Sequence, residues 1–88
     1  MLYMVIERFR KGPGPVYERA RDRGRMLPPG LTYVDSWVDA ETLGRCFQLM
    51  ETDDATRLET WMGEWSDLTE FEIIPVIGSI EAAGRVLD

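Results

Sequence analysis

With 88 residues, 44% of them hydrophobic, the chain makes one globular domain with a modest core and has no room for a second. A formal charge of −6 argues against unspecific binding to nucleic acid or an anionic membrane surface, and a single cysteine excludes an internal disulfide framework. There is no histidine, which removes the usual general base, the commonest zinc ligand and any Ser-His or Cys-His nucleophile pair.

Leu2 to Phe9 is a run of β-branched, aromatic and other apolar residues with charge only at its end, the pattern of an interior strand. Met4 and Ile6 fall on one face, Tyr3 and Val5 on the other, with Glu7 continuing the second. The loop RKGPG at 10–14 stops the strand, and Pro15 suits the first position of a helix reaching roughly Met26. Val16, Ala20, Gly24 and Leu27 form a thin apolar stripe beside Tyr17, with arginines over the rest of the surface. Pro28, Pro29 and Gly30 forbid continuation.

Leu31 to Val38 reads as a strand, with Tyr33, Asp35 and Trp37 on one face and Val34, Ser36 and Val38 on the other. Asp39 to Gly44 is a polar turn, and Arg45 to Glu51 completes a hairpin with Cys46, Gln48 and Met50 opposite Phe47 and Leu49. Being nearly apolar on both sides, this strand belongs in the centre of a sheet. Thr52 or Asp53 caps a second helix, Asp54 sits near its positive end, and Ala55, Leu58, Trp61, Met62, Trp65 and Leu68 recur at helical spacing. Thr69 to Ile77 is a last strand, which Pro75 places at an edge because it cannot donate to a ladder. Residues 1–77 thus form the domain, and residues 78–88 a short helical arm with Ile80, Ala83, Val86 and Leu87 in search of support.

Strand, helix, strand, strand, helix, strand is the α+β, ferredoxin-like βαββαβ order, an antiparallel sheet with two helices on one face. The opposite face has no cover from its own chain. Assigning Tyr3, Val5, Cys46, Met50, Phe71 and Ile73 to it predicts a large apolar patch, and hence a homodimer packed sheet against sheet that gives the arm a partner surface. Assembly beyond the dimer stays open.

YMVIERF at 3–9, GRMLPPGLTYVDSW at 24–37, CFQLMETDD at 46–54 and FEIIPV at 71–76 resemble a family of small bacterial proteins classed as a domain of unknown function. That family is similar in outline to the dimeric α+β barrel superfamily, which includes cofactor-free quinone-forming monooxygenases, muconolactone isomerase and YCII-like proteins. The resemblance implies a dimeric barrel and no cofactor. The His-Asp dyad of the YCII-like pattern has no counterpart in a chain without histidine.

On the second sheet face this reading gathers Tyr3, Glu7, Tyr33, Asp35, Trp37, Cys46 and Gln48. Aromatic walls with a few carboxylate, phenol and amide groups suit a small planar or hydrophobic ligand. Desolvated there, Glu7 or Asp35 could take a proton next to a carbonyl, with Tyr33 and Gln48 as orienters; the same carboxylates serve as interface groups if paired to arginines across a dimer. Ligand binding leads, a cofactor-independent monooxygenase- or isomerase-like enzyme comes second, and a pure interaction module third. Cys46 has no base to activate it and reads as a small core hydrophobe. Trp61 and Trp65, one helical turn apart, fit the core stripe and could also line a pocket mouth.

Residues 1–25 carry seven basic side chains (Arg8, Arg10, Lys11, Arg19, Arg21, Arg23, Arg25) against three acidic ones (Glu7, Glu18, Asp22), so this end could attract an anion. Arg19, Arg21, Arg23 and Arg25 could hold a phosphate or carboxylate, although alternate residues of a helix point to different sides. No metal site is expected, since Asp53 and Asp54 read as helix caps, and Gly12 and Gly14 lack the phosphate-loop pattern. With no membrane-length apolar run and no signal peptide at its start, the chain reads as cytoplasmic.

Overall fold

The computed structural model describes residues 1–87. Three strands fall where hydrophobic alternation puts them: β1 over Leu2–Phe9, β2 over Thr32–Val38 and β3 over Arg45–Glu51. The fourth, β4, spans Thr69–Val76, and the sheet order β2-β3-β1-β4 is antiparallel at every neighbouring pair. The two strands apolar on both faces are central, and Pro75 lies on an edge strand where its missing N–H disrupts little.

Helix α1 covers Pro13–Arg23 and α2 covers Thr56–Gly63. Val16 of α1 and Leu58 and Trp61 of α2 join one cluster with Val5 and Met50, so both helices lie on the same face of the sheet. The fold is therefore α+β and ferredoxin-like, as the order of elements predicts. Helix α1 begins earlier than its stripe suggests because Pro13 and Pro15 preset its first turn. Helix α2 is shorter than the spacing suggests: after Gly63 the chain turns, and Trp65 and Leu68 reach the core from those turns. Asp54, rather than Thr52 or Asp53, opens α2, its Oδ1 accepting from the Thr56 amide at 3.0 Å and hydroxyl at 2.7 Å. Thr52 instead ties the loop before β2 down, its hydroxyl donating to the Gly30 carbonyl at 2.7 Å.

Two findings redraw the faces. First, Tyr3, Val5, Cys46, Met50, Phe71 and Ile73 lie under the helices, not on the open face: Val5 and Met50 are core, Cys46 is buried, and the others pack against that core. With β1 and β3 apolar front and back, alternation cannot say which side the helices take. Second, Tyr33 pairs with Met50 while Asp35 pairs with Leu49, so Val34 is an extra residue in a β-bulge. The bulge sends Tyr33 to the helix side and Asp35 and Trp37 to the open side. The open face thus carries Met4, Ile6, Phe47, Leu49, Trp37 and Ile74.

Beyond the sheet, α3 spans Ser79–Leu87 and buries none of its residues. The stretch is helical, as its spacing of apolar residues predicts; Asp88 lies outside the described residues. No helix among the described residues is long and apolar enough to cross a membrane.

Candidate functional site

A cavity of about 180 Å³ lies between the sheet and the helices. Its floor is the helix side of the three neighbouring strands β1, β3 and β2, where alternation aligns Glu7, Cys46, Gln48, Ser36 and Val38; Phe9, Tyr17, Trp61 and Trp65 supply aromatic walls. Phe9 and Tyr17 meet edge to face at 6.2 Å between centroids.

Two polar residues dominate the floor. Glu7 is 4% exposed and Gln48 7%, and the Gln48 amide donates to the Glu7 carboxyl. Glu7 pairs with Cys46, and Gln48 with Val5, so the two polar side chains are diagonal neighbours on one sheet face. The Gln48 carbonyl oxygen, Oε1, is buried and has no hydrogen-bond partner among the described residues, which is costly for an acceptor in an apolar enclosure. Burial raises the Glu7 pKa, against the lowering pull of Gln48, Cys46 and the more distant Arg25 charge. Burial, and then the Glu7 charge, push the Cys46 thiol up to about 12, so it stays protonated and non-nucleophilic. Desolvation likewise raises the Tyr17 phenol.

The lip is built by the segment after α1. The Trp61 and Trp65 indole N–H groups both donate to the Arg25 carbonyl, at 2.9 and 3.1 Å. The next residue, Met26, is left-handed at φ 59°, a conformation that costs a non-glycine residue about 1–2 kcal/mol and needs such anchoring. The Arg25 guanidinium then stacks 3.7 Å from the Tyr33 ring centroid, and the Tyr33 hydroxyl is 2.7 Å from that of Ser36. Helix α1 is clamped over the cavity by Arg19, whose fork meets Asp67 at 2.8 and 2.7 Å and the Glu64 carbonyl at 3.0 Å. That contact holds the Asp67 carboxyl down to about 2.

Of the residues singled out from sequence, the cavity brings together Glu7, Cys46 and Gln48, with Trp61 and Trp65 on its walls and Tyr33 joining through Ser36 and Arg25. Tyr3 shares their sheet face but packs against the core instead of lining the cavity. Asp35 and Trp37 are separated from the group by the full thickness of the sheet, Trp37 being 51% exposed. The arginine series does not converge, since Arg19 binds Asp67 and Arg21 binds Asp22. Tyr17 and Ser36 are lining residues that sequence reasoning did not select, and Arg25, selected with Arg19, Arg21 and Arg23 as a possible anion holder, lines the cavity without them. For Ser36 the signal was hidden by the bulge, and the end of α1 at Arg23 sets Arg25 apart from the other three arginines. Among the described residues no three His, Cys, Asp or Glu side chains converge as metal ligands.

The sequence pattern of the family described as "Domain of unknown function (DUF3303)" matches residues 1–87. No curated protein gives a significant match. A crystal structure of a protein from Agrobacterium tumefaciens is similar at 14% identity and a TM-score of 0.48, over 90% of this chain and 96% of that one.

Proposed function

The chain belongs to the DUF3303 family, and from its cavity we propose that it is a cytoplasmic small-molecule-binding protein that takes a planar or hydrophobic ligand between α1 and the sheet. The observation that carries this reading is the Gln48 Oε1 acceptor, buried and without a partner among the described residues, on the floor of an aromatic-walled space. A hydrogen-bonding ligand would relieve it. The test is a set of single-ring compounds, charged and neutral, screened by thermal shift and by amide chemical shifts. A ligand held at about 100 times its Kd adds about 2.7 kcal/mol to stability. Its shifts are expected at residues 7, 46 and 48, and Ala20→Phe, which fills the cavity from α1, is expected to abolish them while the fold persists. Compounds that bind only the open face, or none that bind, would refute the reading.

One observation favours a second reading, a cofactor-free enzyme of the monooxygenase or isomerase kind. Glu7 is a desolvated carboxyl with a raised pKa, as a general base working near neutrality requires. Asp35, on the other face, takes no part in that reading.

We further propose that the protein is a homodimer joined through the open face. Supporting this are Trp37 and Ile74, exposed by 51% and 37% beside Met4, Ile6, Phe47 and Leu49, and the arm residues Ile80, Val86 and Leu87 at 92%, 82% and 84%. A second copy would cover both surfaces. Leu49→Glu, which puts a charge in the middle of that face, is expected to weaken self-association about 100-fold, a loss of about 2.7 kcal/mol, in sedimentation equilibrium. A wild-type protein that sediments as a monomer at about 100 μM, far above the Kd of a stable dimer, would contradict the proposal.

A further inference from the structure

Resting on the ligand-binding reading, we infer that the cavity's ligand is a singly charged aromatic carboxylate bearing a hydroxyl, with Arg25 as its counter-charge and Gln48 Oε1 accepting its hydroxyl proton. The Arg25 guanidinium carbon sits 3.7 Å from the Tyr33 ring centroid, a cation–π contact that engages none of its N–H groups in a hydrogen bond. Among the described residues no carboxylate lies within ion-pair distance of that guanidinium, whereas Arg19, Arg21 and Arg10 all have acidic partners. An unpaired guanidinium at the lip of an apolar slot is a receptor for an anion, and its planar fork matches a carboxylate. Its position is fixed from behind by the two indole bonds to its own carbonyl.

The walls and floor specify the rest. Flat aromatic side chains around about 180 Å³ admit a single substituted ring. Among the described residues Arg25 is the only cationic one lining the cavity, so a phosphate dianion would keep an unpaired charge there while a monoanion would not. On the floor the free acceptor among the described residues is Gln48 Oε1, which calls for a donor on the ligand, and a hydroxyl supplies one without adding charge. The one acidic group on the floor, Glu7, is engaged by the Gln48 amide, and burial raises its pKa.

The experiment titrates benzoate, the hydroxybenzoates and phenol into the full chain and follows quenching of Trp61 and Trp65 fluorescence. A Trp37→Phe background removes the indole of the opposite face. A hydroxybenzoate is expected to bind at least about tenfold more tightly than benzoate or phenol, each of which lacks one contact, about 1.4 kcal/mol apiece. Arg25→Gln should cut binding of the acids about tenfold or more and leave phenol unchanged, and Arg25→Lys should restore part of the loss. Equal thermal midpoints for both variants separate lost charge from lost fold. If phenol binds the wild type as well as the hydroxybenzoates do, or if neutral rings from the wider screen bind and the acids do not, the anion assignment fails and the ligand-binding reading stands. If no ring compound of any charge binds, both fail.

Discussion

Trp61→Ala is expected to remove about 3–5 kcal/mol of stability, read as a fall in the urea midpoint at constant slope. For a domain of this length that is a large part of the whole, since total stability runs at about 0.05–0.15 kcal/mol per residue. The indole is 2% exposed, meets Phe71 edge to face at 5.5 Å and donates to the Arg25 carbonyl at 2.9 Å. Truncation therefore opens a void in a small core and frees the lip of the cavity in one step. Trp61→Phe divides the two effects: it keeps most of the apolar volume and loses the N–H, and Trp65 still donates to the same carbonyl at 3.1 Å. Its cost is expected to be about 1 kcal/mol for the hydrogen bond, plus a smaller void term. A loss below about 1 kcal/mol for the alanine variant would mean that the indole is not held in the core.

Glu7→Gln is expected to stabilise the protein at alkaline pH and to have little effect below about pH 4, where the native carboxyl is already neutral and nearly isosteric with the amide. The folded-state pKa lies above the ordinary value of 4.5, with desolvation as the leading cause. The folded protein then holds its proton more tightly than the unfolded chain does. The stability this contributes is complete below the unfolded value and drains away as pH rises from there through the folded value. Each tenfold difference in proton affinity is worth about 1.4 kcal/mol. The groups facing this carboxyl are Gln48 and Cys46 on β3, Tyr17 on α1 and Arg25 beyond it. Only Arg25 carries a permanent charge, and it opposes the shift without cancelling it. Denaturation of wild type and variant from pH 4 to 9 provides the check. A variant that is less stable than wild type by a margin growing with pH would show that Glu7 is ionised and favourably paired.

Both predictions depend on which side of the sheet the helices occupy, and that side was not legible in the sequence. Element order, the exact span of β1 and β3, the central place of those strands and the edge position set by Pro75 all follow from local pattern and backbone chemistry. The same strands, apolar on both faces, gave no signal for the covered side. Leu2–Phe9 would read the same with Met4 and Ile6 under α2 as with Val5 and Glu7 there. Glu7, Cys46 and Gln48 were found together because alternation puts them on one face, whichever face that is. Asp35 and Trp37 were grouped with them wrongly, since one extra residue at Val34 reverses every side chain after it.

Arg25 shows the limit most plainly. As a sequence position it is the last of a series of arginines at the end of a helix; in the folded protein it is a cation held over Tyr33 at the lip of a cavity, with no acidic partner among the described residues. The contacts that fix it join it to Trp61, Trp65 and Tyr33, which no local pattern connects to it.

The amino-acid sequence by itself determined the elements, their order and the family of folds, because hydrophobic period, proline and glycine act within a few residues of where they stand. Tertiary structure alone decided which sheet face became the cavity floor and which was left bare, because that choice is made by packing side chains distant in the chain, the two indoles above all, against a sheet either of whose sides could have received them.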